Sequence, residues 1–314
     1  MIPQNKSLTW GHLAGFTAYA IFGFNIVVCK DLTGSHLLSP IALFCLRSIG
    51  AGLLFWLLSA FMPREKVRRA DFAKIAAASF LGFFMAQLTF LMAIPDITPM
   101  DCSIISALSP LYTMFIAAWV LKEPITARKM GGVLLSLAGI LFLILNTAGT
   151  SGATAESSAR GIALMIANSF CFSLYLGVFR PVISRYSVIT FMKWVFFFST
   201  CMSLPLAFDE LTHTAYSTFS LSIWSELAFL IVCSTFITYF LIPVSQKRLR
   251  PTLVCLYSYV QPIIAIAISI YIGMDTLDGK KIMAAIAVFG GVALVNYSRG
   301  AATVNGRSSA REHQ

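Results

Sequence analysis

The chain has 314 residues, 58% of them hydrophobic and only 11% charged, with a mean hydropathy of +0.80. A soluble domain of this length carries about 25% charged residues, so this chain lacks the polar surface that water demands and needs lipid instead. Its net charge of +10 does not point to nucleic acid, because Lys and Arg stand in short clusters between apolar runs rather than along one face.

Ten segments reach the roughly 20 apolar residues needed to cross a bilayer. The first, 9–29, follows Lys6, exceeds a signal-peptide core in length and lacks a small-residue cleavage site, so a retained transmembrane helix is expected; it contains Asn25. The second, 39–61, opens on Ser39-Pro40, a capping hydroxyl before a proline whose missing N–H costs nothing there. It holds Arg47, the one charge well inside a span. The third, 72–94, carries Gln87. The fourth, 100–121, opens on Thr98-Pro99 and carries Ser106, Ser109, Pro110 and Tyr112. After the fifth, 127–146, a stretch rich in Gly, Ala, Ser and Thr (147–159) reads as a flexible linker. The sixth, 160–179, holds Asn168 and Tyr175; the seventh is 189–208; the eighth, 222–243, holds Tyr239. The ninth, 252–272, holds Tyr257, Ser258, Gln261 and Pro262, and the tenth, 279–298, leads to a polar tail at 299–314.

Alternate loops differ sharply in charge. With the N-terminus inside, 18 Lys and Arg fall in inner loops and 4 in outer ones, so the positive-inside rule predicts cytoplasmic termini and an inner-membrane location.

The chain also repeats itself. Residues 82–143 lie over 234–295 at a constant offset of 152 without a gap, superposing Pro99 on Pro251, Ser106 on Ser258, Pro110 on Pro262 and Gly139 on Gly291. Five spans per half is an odd number, so equivalent helices must cross in opposite directions; Asp96, in an outer loop, falls on Arg248, in an inner one. The expected fold is an all-α membrane protein of ten transmembrane helices in two inverted five-helix repeats, 1–146 and 160–298. Inverted repeats are a common construction for secondary transporters.

The stretch Ser109-Pro110 through Trp119-Val120-Leu121-Lys122-Glu123-Pro124, followed by Gly131 and Gly139, and its partner Gln261-Pro262 through Gly273-Met274-Asp275, followed by Gly291, resemble the EamA-type branch of the drug/metabolite transporter superfamily. Arg47 matches a residue often seen there, whereas Asp275 stands where Glu is usual. The resemblance implies transport of small metabolites, often export of amino acids or related compounds.

Polar groups inside a bilayer face a bundle interior or a water-filled cavity. Asn25, Gln87, Ser106, Ser109, Tyr112, Asn168, Tyr175, Tyr239, Tyr257, Ser258 and Gln261 therefore make up an expected substrate cavity, although each alone also serves as an interhelical hydrogen bond. Arg47 reads either as a cation that pairs helix-end carbonyls or snorkels to an interface, or as an anchor for an anionic group such as a carboxylate. Pro110 and Pro262 are candidate hinges, since each removes a backbone hydrogen bond. Seven cysteines and four histidines show no metal-ligand or disulfide spacing, so no cofactor or metal is expected. No carboxylate falls near a span centre, which disfavours a proton relay there and leaves a facilitator, an exchanger, or coupling through peripheral acids such as Asp101 or Glu226. An intramembrane enzyme lacks its nucleophile and base. The alternative to a carrier is a channel, receptor or lipid-handling protein. The expected partners are a small-molecule substrate and the bilayer, with no nucleic acid, in a monomer or homodimer.

Overall fold

The computed structural model describes residues 4–34, 38–109, 111–112, 115–116, 127–147, 157–249, 257–274, 278–291 and 293–294. Most of the linker, the C-terminal tail, Pro110, Glu123 and Asp275 lie outside the described residues. Helices are α1 (Gln4–Gly34), α2 (Pro40–Ala60), α3 (Arg69–Asp96), α4 (Pro99–Ser106), α5 (Ala127–Thr147), α6 (Ala159–Val178), α7 (Val188–His213), α8 (Leu221–Arg248), α9 (Val260–Ile272) and α10 (279–291). Among the described residues, α1, α2, α3, α6, α7 and α8 are long and apolar enough to cross a membrane, and shorter apolar helices supply the rest. Both expected caps form: the Ser39 and Thr98 hydroxyls accept the N–H groups of Ala42 and Asp101, at 3.2 Å each.

The two repeats interlock. α2 lies along α7; α1 packs on α8 and α9, and its equivalent α6 packs on α3 and α4. Three hydrogen bonds join a residue to its own repeat equivalent 152 positions away: Ser48 with Thr200 (3.0 Å), Gln87 with Tyr239 (2.7 Å) and Ser136 with the carbonyl of Val288 (3.1 Å). A residue touches its own symmetry mate only on a two-fold axis, so these pairs trace the pseudo-dyad through α2/α7, α3/α8 and α5/α10. Off the axis, contacts come in reciprocal pairs. A Cβ on Gly139 would meet Ala284 and one on Gly291 would meet Gly132, the same contact with the halves exchanged.

Helices α1 and α6 keep a different register. Gly11 abuts Arg248 while Gly161 abuts Asp96, and Arg248 and Asp96 are 152 apart, so Gly11 and Gly161 are equivalent at an offset of 150. The approach of Gly23 to Gln261, mirrored by Ser173 bonding the carbonyl of Ser109 (3.1 Å), gives the same value.

The loops sort to two faces as the alternation requires. On one face, Asp71 accepts hydrogen bonds from Arg185 (2.6 Å) and the Tyr186 hydroxyl (2.7 Å), Lys247 donates to the Tyr186 carbonyl (2.6 Å), and Glu65 accepts the Ser187 N–H (3.0 Å). On the other, Lys30 donates to the carbonyls of Ile94 (2.9 Å) and Pro95 (2.8 Å), and Arg160 pairs with Asp96 (3.5 Å). Two groups of the first face lie outside the helical spans. Hydrogen bonding to Asp71 holds the Arg185 guanidinium above its ordinary pKa. Partial burial opposes ionisation of Glu65, but hydrogen bonds from Ser187 and Thr190 outweigh it and lower the carboxyl pKa.

Candidate functional site

The helices around the dyad are broken where their backbone is needed. α3 carries a π-helical segment at Phe80–Met85 and α8 one at Leu230–Ile237, equivalent at the 152 offset. Such segments free carbonyls from the regular ladder and occur often at functional sites. The freed groups find side-chain partners: Thr235 and Thr238 hydroxyls bond the carbonyls of Leu230 (2.6 Å) and Cys233 (2.9 Å), and Asn168 donates to the carbonyl of Ala86 (2.7 Å). The ladder also breaks beside each proline. α4 stops at Ser106, with 107–108 in a turn, and 258–259 form a turn before α9. Pro110 has no N–H for the carbonyl of Ser106, which is taken by the Ser109 hydroxyl at 2.8 Å. Pro262 sits in the first turn of α9 rather than mid-helix, a change from the mid-span position expected, because the break comes before it.

These interruptions border a cavity lined by both repeats. Its polar wall is Asn25 (α1), Gln87 (α3), Ser106, Ser109, Asn168 and Ser169 (α6), Tyr239 (α8), Ser258 and Gln261; Tyr19, Phe22, Ala86, Phe90, Phe172 and Leu176 supply the remainder. Both repeats contribute, and the on-axis pair Gln87–Tyr239 is part of the wall. Phe83 packs edge-on against Tyr239 and Phe196, with centroids at 5.0 and 4.4 Å, which fixes the tyrosine ring from behind. Two buried wall atoms, Oε1 of Gln87 and Oγ of Ser169, have no hydrogen-bond partner among the described residues. A buried polar atom left so costs about 1–3 kcal/mol.

Eight of the twelve sequence candidates meet at this wall: Asn25, Gln87, Ser106, Ser109, Asn168, Tyr239, Ser258 and Gln261. Four do not. Tyr112 stacks edge-on against Phe170. Tyr175 packs over Gly82. Tyr257 bonds Nδ1 of His12 at 2.7 Å and fills the notch left by Gly15. Arg47 stands behind the wall, 1% exposed, with its Nε donating to Thr235 (2.9 Å), one Nη to Ser234 (3.3 Å) and the other to the Cys29 sulfur (3.6 Å). Neither helix-end carbonyls nor a carboxylate meets it among the described residues. The sequence points to aromatic walls without singling out Phe22, Phe90, Phe172, Leu176 or Ser169. Helical spacing held the signal: Phe22 precedes Asn25 by three, Phe90 follows Gln87 by three, and Phe172 and Leu176 follow Asn168 by four and eight.

Two inverted repeats of crossing helices, interrupted in equivalent places around a shared polar and aromatic cavity, are the build of a multi-pass membrane transporter. The profile of the EamA-like transporter family matches residues 9–145 and again 159–297. The chain belongs to that family, within the drug/metabolite transporter superfamily. It is similar to two Bacillus subtilis proteins named as uncharacterized transporters: YetK, 22% identical, covering 88% of this chain and 83% of the relative, and YyaM, 19% identical, covering 88% and 90%. An Archaeoglobus fulgidus protein, also named an uncharacterized transporter, is 22% identical over 64% of this chain and 68% of its own length. A solved crystal structure 19% identical in sequence covers 91% of this chain and 97% of its own, with a TM-score of 0.64, a likeness of fold.

Proposed function

We propose that this transporter carries a small amphipathic metabolite, an amino acid or a related compound, and works as an exporter or exchanger by alternating access of its two repeats. The observation that carries this reading is the cavity on the pseudo-dyad, walled by both repeats and lined by polar groups set among Phe22, Phe90 and Phe172. Rocking one repeat against the other re-exposes such a cavity to the opposite side without dismantling it. The eight wall residues named above are the proposed substrate contacts, and the breaks beside Pro110 and Pro262 the proposed hinges. The 18-to-4 distribution of basic residues supports cytoplasmic termini in the plasma membrane.

No carboxylate lines the cavity among the described residues, which favours exchange or facilitated movement over proton-driven accumulation. Counterflow in proteoliposomes tests the reading. Vesicles loaded with an unlabelled mixture of amino acids are expected to draw in labelled solute transiently and saturably, with no accumulation when only a pH gradient is imposed. Uptake that never saturates, or continuous single-channel current, would overturn it.

A further inference from the structure

Arg47 presents a problem that the cavity alone does not resolve. A guanidinium is always ionised and can only donate hydrogen bonds. This one is buried in a helix bundle read as lying in lipid, and every partner it has among the described residues is neutral. A buried charge of that kind is costly unless something of opposite sign approaches it.

The direction of its hydrogen bonds shows where the charge is felt. Because the guanidinium donates, Ser234 and Cys29 must each accept from it, and each has its own hydrogen to pass on. Both pass it to the same atom, Oδ1 of Asn25. An amide orientation is normally ambiguous, but here two obligatory donors converge on the oxygen. The Nδ2 group must therefore be the other end of the side chain. Asn25 is 4% exposed and lines the cavity, and no group among the described residues takes its Nδ2 hydrogens. The result is a relay from Arg47 through Ser234 and Cys29 to an oriented, polarised donor at the cavity wall.

The second repeat has no such device. Ser199 stands at the position of Arg47, buried and without a side-chain partner among the described residues, and Tyr175 over Gly82 stands at the position of Asn25 on Ser234. The cavity is thus polarised by the Asn25 donor on its α1–α8 side.

We propose that the site selects a solute bearing a carboxylate, which binds against Nδ2 of Asn25, and that Arg47 is a positioning residue acting through the relay without touching the solute. The proposal rests on the transport reading above. It goes further in assigning the charge of the solute and the route by which it is recognised.

The test uses the full chain and two matched probe pairs: 3-phenylpropionate with 3-phenylpropanamide, and L-phenylalanine with phenethylamine. Thermal shift of the purified protein reports binding, and counterflow reports transport. Wild type is expected to prefer the carboxylate member of each pair by about tenfold or more, as a nearby uncompensated cation requires. Arg47→Gln is expected to abolish the preference while the neutral amide still binds. Asn25→Asp guards against a misfolded Arg47 variant. It is isosteric and gives the guanidinium a counter-charge, so its ligand-free melting temperature should rise while carboxylate binding falls at least tenfold. A merely structural role for the relay predicts equal losses for both members of a pair. Equal affinity of wild type for carboxylate and amide, or binding of no carboxylate probe at all, overturns this proposal. If wild type moves the amide or the amine by saturable counterflow in that case, the transport reading survives it. If nothing is moved by counterflow, the transport reading fails separately.

Discussion

The repeat supplies a mutational test in which one half of the protein predicts the rescue of the other. In the first repeat's π segment, Gly82 faces Tyr175; in the second, Ser234 faces Asn25. The two contacts are equivalent, and a small-plus-large pair in one stands for a medium-plus-medium pair in the other. A Cβ placed on Gly82 would lie 2.2 Å from Cγ and Cδ2 of Tyr175 and 2.5 Å from its Cβ. That is more than 1 Å inside ordinary contact and at the root of the side chain, where a change of rotamer does not relieve it. Gly82→Ser is therefore expected to cost about 1–3 kcal/mol by overpacking. Tyr175 is 3% exposed, so Tyr175→Asn removes a buried ring at a cost of about 3–5 kcal/mol. Combined, the two substitutions recreate the Ser234–Asn25 pair, hydroxyl donating to amide oxygen.

The double variant should therefore be more stable than Tyr175→Asn alone, with a favourable coupling of about 1–3 kcal/mol. Melting of the detergent-solubilised protein, followed by the monodisperse peak that survives heating, ranks the four forms. An additive double variant, or a Gly82→Ser protein as stable as wild type, would refute the equivalence of the two contacts and the 150-residue register of α1 and α6 that underlies it.

The same symmetry predicts unequal effects where the halves differ in detail. A Cβ on Gly291 would sit 2.4 Å from the backbone carbonyl of Gly132, whereas one on Gly139 comes no closer than 2.9 Å to a side chain. Gly291→Ala should accordingly lower the melting temperature more than Gly139→Ala. On the dyad, Tyr239→Phe strands the buried Nε2 of Gln87 and should cost about 1–3 kcal/mol. Adding Gln87→Leu should recover part of that stability while abolishing counterflow. Glu65 has a lowered pKa, so its contribution to stability is present above its unfolded pKa of about 4.3 and disappears as pH falls through the lower, folded value. Glu65→Gln should thus melt earlier than wild type at neutral pH, and the gap should close as the medium is acidified below about pH 4. A gap independent of pH would rule out the ionised carboxylate as its source.

Much of this architecture was legible in the chain because a bilayer simplifies the problem. Spans are marked by length and hydropathy, and the repeat by a gapless offset with two superposed prolines. The capping pairs Ser39-Pro40 and Thr98-Pro99 act within a few residues, so local chemistry fixed them too. The cavity was only partly legible, since polarity marks a residue as facing inward but does not say what it faces. Tyr175 and Asn25 are equivalent polar residues on equivalent helices, yet one packs on a glycine and the other reaches the cavity. Arg47 was visible as an anomaly. Its indirect connection to the wall depends on Ser234 and Thr235 of the opposite repeat, 187 and 188 residues away, a proximity no local pattern encodes. The π segments left no trace in composition, because their cause is the packing of freed carbonyls against threonines and Asn168.

The pseudo-dyad also separates contacts that transport must break from those it leaves alone. If the two repeats exchange conformations during the cycle, a pair on the axis maps onto itself and persists in both states. Ser48–Thr200 is such a pair. A contact off the axis persists only if its mate forms on the other face, and the mate must have the chemistry to form. Asp71 holds Arg185 and Tyr186 on one face, but its equivalent is Ile223, which can accept no hydrogen bond. That cluster therefore belongs to one state alone. Cysteines introduced as Ser48→Cys with Thr200→Cys, joined by a short bifunctional thiol reagent, should leave counterflow near the uncrosslinked rate. Asp71→Cys with Tyr186→Cys, joined in the same way, should stop it and recover on cleavage of the linker. Arrest by both crosslinks would mean that α2 and α7 slide on one another, and the axis would then not be the fulcrum. Free counterflow with the Asp71 crosslink in place would mean that this face never opens.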